Sequence, residues 1–265
     1  SFNGGGKDKS RQAPSQPMPP KTVSVTGFKN SGKTSVVEAI VRELSSRGHR
    51  VGTLKHTADD IDLDTPGKDT SRHRSAGSVA TGILQENTTA VFIDEKMSIH
   101  QAAEKLGTID YLVIEGFKTV DTHARIIVPR EDGDVEKLSN GLEIATVKIL
   151  DSKYMGEALT LDDVEKIADT VEARAYQMLP GIDCHSCGYD NCKSMGVGLL
   201  GGEAELSQCV GYRSDGILKV NGVDVAMGSF VRDIMQNVVL GFIKSLKGGE
   251  KARKVELTFE VNDDE

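Results

Sequence analysis

Residues 21–34 read "KTVSVTGFKNSGKT". A β-branched run passes here into the pattern G-x-x-x-x-G-K-[ST], and a helical stretch follows from about Thr34 to Arg47, with Gly48 placed to end it. A strand before the motif and a helix after it form the context in which this loop binds phosphate. A chance glycine turn is the alternative, and the context disfavours it. The stretch therefore predicts a phosphate-binding loop for a nucleoside triphosphate.

Each residue type in this loop has a chemical reason. Glycines let backbone N–H groups face the phosphates, and the N-terminus of the following helix favours an anion. Lys33 is expected to bridge the β- and γ-phosphates, and Thr34 to place its hydroxyl on Mg²⁺. The predicted nucleotide-binding residues are Gly27, Asn30, Ser31, Gly32, Lys33, Thr34 and Ser35. The motif does not distinguish ATP from GTP.

A second metal ligand is expected at the end of another strand. The run "IDYLVIEG" is almost continuously apolar, as buried parallel strands are, and it ends at Glu115. A carboxylate there has the position of a Walker-B acid, although such an acid is often only a solvated strand end. Beside a phosphate loop, the metal-binding role is favoured, and Thr34 and Glu115 are the predicted Mg²⁺ ligands.

The rest of the first two-thirds of the chain alternates between strand and helix patterns. Helices are predicted at "SIHQAAEKL", which opens with a Ser98–Gln101 capping box, and from about Leu161 to Leu179. Further strands are predicted at "RVGTLKH", 79–84, 88–93, "RIIVP" and "EIATVKIL". This order predicts an α/β fold, a three-layer P-loop NTPase domain with a mostly parallel sheet covered on both faces.

Changes in composition suggest four segments. Residues 1–20 are rich in Gly, Ser, Pro and Gln and are expected to be disordered. The nucleotide-binding domain is expected at 21–179, a four-cysteine lobe at 180–212 and a small α+β tail at 213–265. The tail combines an Asn-Gly hairpin, apolar residues at helical spacing from Phe230 to Leu246, and the alternating stretch "KVELTFEV".

Composition excludes several classes of function. The 265 residues carry a formal net charge of −8, which disfavours a broad nucleic-acid surface. No apolar run approaches the length of a membrane span, and the chain does not open with a secretory signal. We therefore expect a cytoplasmic protein that binds neither nucleic acid nor membrane, in which structural disulfides are disfavoured.

The segment "KHTADDIDLDTPGKDTSRHRSAG" at residues 55–77 is polar and rich in Asp and Gly. Asp60, Asp62 and Asp64 have the spacing of a calcium loop, but Thr65 and Ser71 stand where the turn Gly and the bidentate Glu belong. The calcium interpretation therefore fails. The length and mixed charge fit a loop that closes over a ligand.

All four cysteines fall in one stretch near the chain's last third. Cys184, Cys187, Cys192 and Cys209 follow C-x₂-C-x₄-C-x₁₆-C, and four thiolates suit either tetrahedral zinc or a [4Fe–4S] cluster. Structural zinc usually takes two C-x-x-C pairs, whereas this motif has a tight three-cysteine loop and one distant partner. An iron–sulfur cluster is favoured, with zinc as the alternative, and His185 is expected to face solvent.

Two resemblances extend these predictions. "GFKNSGKT", "LKHTADDIDLDTPGKDTSRHRSAG" and "IDYLVIEGFK" resemble the MobB family over residues 21–150. "CHSCGYDNC" and "GGEAELSQC" resemble the cluster domain of Rnf-type electron-transport subunits and corrinoid iron–sulfur proteins, with Gly188, Gly202, Glu203 and Cys209 in matching places.

The MobB resemblance implies binding of GTP and Mg²⁺, at most slow Mg-dependent GTP hydrolysis, a homodimer, and assistance to a MobA-type guanylyltransferase. It also implies that Gly32, Lys33 and Thr34 hold phosphate and metal. The residues that it places beside the nucleotide are Lys55, His56, Asp59, Asp62, Lys68 and Asp69. A guanine-reading N-K-x-D is absent, so the preference for GTP rests on the resemblance alone, and no hydrolytic base stands out by spacing.

The favoured hypothesis is an accessory GTP-binding protein of molybdenum or tungsten cofactor biosynthesis that carries an added [4Fe–4S] site and serves molybdoenzymes. One alternative is a small-molecule kinase that uses Arg72 and Arg74 at the phosphates. Another is an electron-transfer protein gated by nucleotide. The cluster would be a docking element, a redox sensor or a structural cross-link, and the sequence leaves these three roles open.

Overall fold

A computed structural model of the chain describes residues 19–57, 61–212, 218–220, 223–225, 229–247, 255 and 257–258. The chain divides into two compact units, Ser1–Pro180 and Gly181–Glu265. The finer boundaries expected at residues 20, 179 and 212 stay predictions. None of the described helices is long and apolar enough to cross a lipid bilayer.

The first unit contains eight strands and five α-helices among its described residues. The strands are β1 (Lys21–Thr26), β2 (Val51–Lys55), β3 (Ala80–Leu84), β4 (Thr89–Ile93), β5 (Tyr111–Glu115), β6 (Ala124–Ile127), β7 (Glu143–Thr146) and β8 (Tyr176–Gln177). The helices are α1 (Lys33–Ser46), α2 (Asp69–Ser75), α3 (Ile99–Lys105), α4 (Asp134–Leu138) and α5 (Val164–Arg174). In the second unit lie α6 (Cys192–Gly201), α7 (Ser229–Ser245), β9 (Leu218–Val220) and β10 (Val223–Val225).

A parallel sheet with the order β2-β5-β1-β6-β7 forms the centre of the first unit. All five strands run parallel, and β8 adds an antiparallel pairing at the start of β1. Residues 22–26 of β1 and the whole of β6 are buried without a break. Because successive side chains of a strand point to opposite faces, continuous burial means that both faces of the sheet are covered. The predicted α/β fold with a mostly parallel sheet is confirmed.

One face of this sheet is covered by α1 and α5. The buried stripe of α1 contains Val36, Ile40 and Leu44, which recur at the spacing of one helix face. The buried stripe of α5 contains Ile167 and Val171. Contacts join α1 to β5 and to α5, and α5 to β7, so the two helices lie side by side across the strands.

Two local features differ from the sequence-based expectation, and a third agrees with it. The strands β3 and β4 form an antiparallel hairpin of their own outside the central sheet. The predicted helix 161–179 begins as a 3₁₀ turn and ends at Arg174, because Tyr176 and Gln177 pair with β1. The predicted capping box of α3 is confirmed, since the Ser98 side chain accepts a hydrogen bond from the Gln101 backbone N–H.

The described part of the second unit has the secondary structure that the sequence predicts. The strands β9 and β10 pair antiparallel, and α7 covers most of the predicted helical stripe. The Asn-Gly turn between these strands, most of "KVELTFEV" and residues 1–18 lie outside the described residues.

A buried histidine at the start of β6 makes the fold sensitive to acid. His123 is fully buried, and its Nδ1 lies 3.1 Å from the Thr122 hydroxyl. Burial, reinforced by the charge of Arg125 and by His100, lowers the pKa of His123 to about 3. The unfolded chain therefore binds a proton at this residue below about pH 6.5, while the folded protein does not.

We therefore expect the free energy of unfolding to fall as pH drops from about 6.5 towards 3, by up to about 1.4 kcal/mol per pH unit for this one group. His123→Asn should flatten this dependence between about pH 6.5 and 5, measured by urea unfolding. His73→Asn, at an exposed position of α2, should leave the slope unchanged. An equal slope in wild type and His123→Asn would contradict the assignment.

Candidate functional site

The loop between β1 and α1 has the curled backbone that its motif predicts. Asn30 and Gly32 have φ values of +62° and +86°, and Gly32 immediately precedes α1. The Ser31 N–H donates to the Phe28 carbonyl at 3.2 Å, which closes the turn. Lys33 Nζ donates to the same carbonyl at 2.7 Å, so its ammonium group lies folded over the loop. Ser35 is exposed in the first turn of α1.

Close packing explains the first glycine of the motif. A Cβ at Gly27 would lie 2.2 Å from the Ser31 hydroxyl and 2.6 Å from the Val128 carbonyl oxygen. The Ser31 hydroxyl is itself buried and has no hydrogen-bond partner within the described parts of the chain. Because the loop is closely packed, its backbone N–H groups are held in fixed positions. This arrangement suits the binding of an anion such as phosphate.

Glu115 lies beneath this loop at the end of β5. Its Oε2 accepts a hydrogen bond from the Thr34 hydroxyl at 3.0 Å, and its Oε1 lies 3.1 Å from Lys55 Nζ. The strand register places Glu115 beside both Val25 and Lys55. A hydroxyl and a carboxylate in contact are the oxygen donors that Mg²⁺ uses next to nucleotide phosphates. The donor set therefore fits the predicted metal.

The loop is surrounded by positive charge. Lys118 Nζ lies 4.4 Å and the Arg130 guanidinium carbon 4.9 Å from the centre of the Phe28 ring. Burial lowers the pKa of Lys33, Glu115 opposes this shift, and the charges of Lys118, Lys55 and Arg130 add to it. Lys55 is paired with Glu115 and Arg130 with Asp134, but four cations gathered around one loop still favour the binding of a polyanion, as phosphate-binding sites do.

The predicted nucleotide-proximal residues fall into two groups. Lys55 contacts Glu115, and the His56 ring lies 4.5 Å from that of Phe117, so both lie at the edge of the phosphate loop. The described contacts of Asp62, Lys68 and Asp69 instead involve α2 and the β3–β4 hairpin. Their position beside a nucleotide stays a prediction. Asp59 lies outside the described residues.

A cavity of about 350 Å³ lies between α2 and the hairpin. Its walls are Asp64, Thr65, Lys68, Asp69, Thr70, Ile83 and Phe92. One carboxylate oxygen of Asp64 accepts from the Thr65 N–H and the Thr70 hydroxyl, and the other is buried with no partner among the described atoms.

Three contacts around the phosphate loop were not foreseen from the sequence. Lys118 follows Glu115 by three residues, Arg130 follows β6, and Ile149 follows β7. Each comes shortly after the carboxyl end of a parallel strand, where ligands of open α/β sheets bind, and this position was the available signal. A Cβ at Gly32 would lie 2.6 Å from the Ile149 side chain, so the segment after β7 packs against the phosphate loop.

The four cysteines lie in the second unit, and all are free thiols. Cys192 and Cys209 are buried, while Cys184 and Cys187 are partly exposed. Burial raises the pKa of Cys209 to about 11, and the proximity of the other three cysteines adds to the shift. Four thiols are the donor set of a [4Fe–4S] cluster, but among the described residues no three His, Cys, Asp or Glu side chains are arranged so that they could hold a metal ion.

The backbone around the first three cysteines has a distinctive local geometry. Asp183, His185 and Gly188 all have positive φ values, so the chain curls tightly around Cys184 and Cys187. The Asp183 carboxylate accepts from the Cys192 N–H at 2.7 Å. Cys192 is the first residue of α6, where the helix dipole favours negative charge such as that of a thiolate. His185 is exposed, as predicted for a residue that faces solvent.

The predicted G-E pair of the lobe ends α6. Gly202 adopts the left-handed conformation, and the Glu203 N–H donates to the Gly198 carbonyl at 2.9 Å. The Tyr189 hydroxyl donates to the Glu203 carbonyl at 3.3 Å, and a Cβ at Gly198 would lie 2.7 Å from that hydroxyl. This turn directs the chain from α6 towards Cys209.

Two families match the chain. Residues 22–149 match the family described as "Molybdopterin guanine dinucleotide synthesis protein B", MobB. Residues 179–210 match a family described as "Putative Fe-S cluster". The second match covers the four cysteines.

The chain is also similar to several molybdopterin-guanine dinucleotide biosynthesis adapter proteins. A relative from Methanocaldococcus jannaschii is 28% identical over 246 residues, which cover 91% of this chain and 98% of that protein. One from Bacillus subtilis is 34% identical over 124 residues, covering 44% of this chain and 69% of the relative. The crystal structure of B. subtilis MobB is 27% identical, covers 59% of this chain and 98% of its own, and superimposes with a TM-score of 0.49.

The contact between Gly32 and Ile149 leads to a test. Gly32 and Gly48 both have positive φ, but an added Cβ would meet Ile149 at Gly32 and open space at Gly48. Each Gly→Ala change should cost about 1–2 kcal/mol from backbone strain, and Gly32→Ala should cost more because Ile149 must move. The measurement is the free energy of unfolding in urea.

A second substitution isolates that contact. In an Ile149→Ala background, the extra cost of Gly32→Ala over Gly48→Ala should disappear, because the methyl group then has space. Equal costs for the two glycines in the wild-type background would show that the segment after β7 does not pack on the loop in solution.

Proposed function

This chain belongs to the MobB family, and from that premise we propose that it is a GTP-binding adapter that assists the formation of molybdopterin-guanine dinucleotide. In this proposal GTP and Mg²⁺ bind at the phosphate loop, and a MobA-type guanylyltransferase is the partner. The observation that carries the proposal is the contact of Thr34 with Glu115 directly below the loop. Family membership supports GTP over ATP as the nucleotide, because molybdopterin-guanine dinucleotide, the product in the family's description, contains guanine.

The residues of the site have separate tasks in nucleotide binding. Loop N–H groups and Lys33 hold the phosphates, Thr34 and Glu115 offer oxygen atoms to Mg²⁺, and Lys118 and Arg130 add positive charge. Lys55 forms an ion pair with Glu115. Hydrolysis of GTP is proposed to be slow at most, as the resemblance to the MobB family implies.

The two alternative functions have weaker support. A kinase would need Arg72 or Arg74 free to reach a transferred phosphate. Arg74 instead donates to Asp94 at 2.9 and 2.5 Å, and Arg72 lies 3.9 Å from Asp69. Electron transfer gated by nucleotide would need coupling between the cysteine unit and the phosphate loop, which the experiment on Cys187 below measures.

We also propose that the chain acts as a homodimer. The β3–β4 hairpin exposes several large apolar side chains, and such a surface suits a contact with a second copy. Their exposed fractions are 77% for Val79, 45% for Ile83, 82% for Leu84 and 59% for Val91.

For the second unit we propose a [4Fe–4S] cluster held by Cys184, Cys187, Cys192 and Cys209, with zinc as the alternative. The match to an iron–sulfur family over residues 179–210, the stretch that contains all four cysteines, supports it. When bound, the cluster would cross-link distant parts of the chain and supply a one-electron redox centre. The lobe has few buried apolar residues, so a structural cross-link is its first proposed role.

Lys33→Ala should weaken GTP binding by about 100-fold, because it removes a charged donor to the phosphates. Isothermal titration with GTP and MgCl₂ measures the effect. Lys105→Ala, which removes an equal charge from the exposed end of α3, should bind GTP like wild type. Iron content should be unchanged in both variants. Undiminished GTP binding by Lys33→Ala would refute the proposed site.

Protein purified without oxygen should contain about four irons per chain and absorb broadly near about 400 nm. Cys187→Ser should lose the iron and the colour, whereas His185→Gln should keep both, because His185 is exposed and four thiols already supply the ligands. One zinc per chain without colour would establish the alternative metal.

The same variant measures coupling between the two units. Cys187→Ser should keep the GTP affinity of wild type if the cluster is structural. A tenfold loss of affinity would correspond to about 1.4 kcal/mol of coupling and would assign the cluster a regulatory role.

A further inference from the structure

We propose that the turn after β7 recognises the base of the bound nucleotide, and that the Asp151 carboxylate reads the N1–H and 2-amino groups of guanine. This inference rests on the proposed function, and it identifies the part of the chain that selects GTP over ATP. The turn is formed by Ile149–Ser152 and is closed by a hydrogen bond from the Ser152 N–H to the Ile149 carbonyl at 3.0 Å.

The direction of the nucleotide follows from the metal ligands. Thr34 and Glu115 lie on the β5 side of the phosphate loop, so Mg²⁺ and the terminal phosphates belong on that side. The triphosphate is linear, and its nucleoside must therefore leave the loop on the opposite side. In the strand order β5-β1-β6-β7, the opposite side is the carboxyl edge of β6 and β7.

The turn is held at that edge by direct contacts. The Ile149 side chain packs against Gly32, the last residue of the phosphate loop. The Ser152 hydroxyl donates to the Pro129 carbonyl at 2.8 Å, and the Lys153 N–H donates to the Arg130 carbonyl at 2.6 Å. Arg130 in turn lies against Phe28 of the phosphate loop. The segments after β6 and β7 thus form one connected surface beside the phosphates.

Large apolar side chains and one carboxylate are exposed to solvent at and near the tip of the turn. Leu150 is 100% exposed and Met155 is 83% exposed, although both are large and apolar. Asp151 is exposed between them, and its carboxylate takes part in no hydrogen bond or ion pair recorded for the described residues. An apolar side chain can pack against the flat face of a nucleotide base. The carboxylate next to it can accept two hydrogen bonds from the edge of the same base.

Guanine is the base that such a carboxylate selects. Its N1–H and 2-amino group are adjacent donors, so both oxygens of one carboxylate accept hydrogen bonds from it. Adenine has no N1–H and no 2-amino group, and its unprotonated N1 would face the carboxylate with a lone pair. A site that pairs its carboxylate with guanine therefore rejects adenine strongly.

The test exchanges the carboxylate for an amide and changes the base to match. Asp151→Asn should weaken GTP binding by about tenfold or more, because the amide N–H₂ then faces the 2-amino group. The same variant should bind xanthosine triphosphate more tightly than wild type does, since xanthine has a carbonyl oxygen at C2 that accepts from the amide. Isothermal titration with MgCl₂ and GTP, XTP or ATP provides the affinities.

Two matched variants make the result specific. Asp162→Asn removes an exposed carboxylate from the 3₁₀ turn before α5 and should bind GTP like wild type. Asp64→Asn changes a carboxylate that lines the cavity between α2 and the hairpin and has one buried oxygen without a partner among the described residues. Circular dichroism should show all three variants folded.

The outcomes separate this inference from the proposed function. Loss of GTP binding in Asp64→Asn with normal binding in Asp151→Asn would place the base in the cavity and overturn the inference. Normal GTP binding in all three variants would also overturn it. If wild type binds no GTP, the proposed function itself has failed, and the assignment of Asp151 fails with it.

Discussion

The parallel pairing of β5 between β1 and β2 is the constraint on which the site depends. Its register places Glu115 beside Val25, two residues before the first glycine of the phosphate loop, and beside Lys55 at the end of β2. Because parallel strands end at the same edge of a sheet, the carboxylate meets the Thr34 hydroxyl and the Lys55 ammonium group there. A shift of one residue would turn Glu115 to the other face and separate the metal ligands.

The charge around the loop is maintained by buried polar groups elsewhere in the first unit. Arg125 is almost fully buried in β6, and its guanidinium donates to the carbonyls of Lys118, Val120 and Leu138 at 3.3, 2.9 and 2.9 Å. These bonds fix the segment that carries Lys118 to the Phe28 ring. Burial of a cation is costly unless its donors are satisfied. The phosphate site therefore receives its outer positive charge from residues that the fold has already oriented.

The cysteine unit is organised in a different way. A local curl of the backbone at Asp183, His185 and Gly188 surrounds the first two cysteines, Cys192 begins α6, and Cys209 follows α6 and its glycine turn. Among the described residues of this unit, few apolar side chains are buried compared with the central sheet. The free energy of metal binding is therefore available to hold the lobe together, as in other small metal-binding domains.

Sequence alone determined the features that depend on neighbouring residues. The phosphate loop, the apolar strand that ends at Glu115, the Ser98 capping box and the cysteine spacing are all patterns over a few residues, and each has a local physical cause. The apolar strands alternating with helices were sufficient for the α/β class.

Only the tertiary structure decided how distant segments meet. The helix predicted to reach Leu179 stops at Arg174 because β1 offers backbone groups to Tyr176 and Gln177. The strands β3 and β4 pair with each other rather than with the central sheet. Lys118, Arg130 and Ile149 reach the phosphate loop because their strands are its neighbours in the sheet, and strand order is not encoded in any short motif. The physical reason is that these contacts join residues far apart in the chain. They stabilise the protein only once the sheet has formed and the entropy cost of closing the intervening loops has been met.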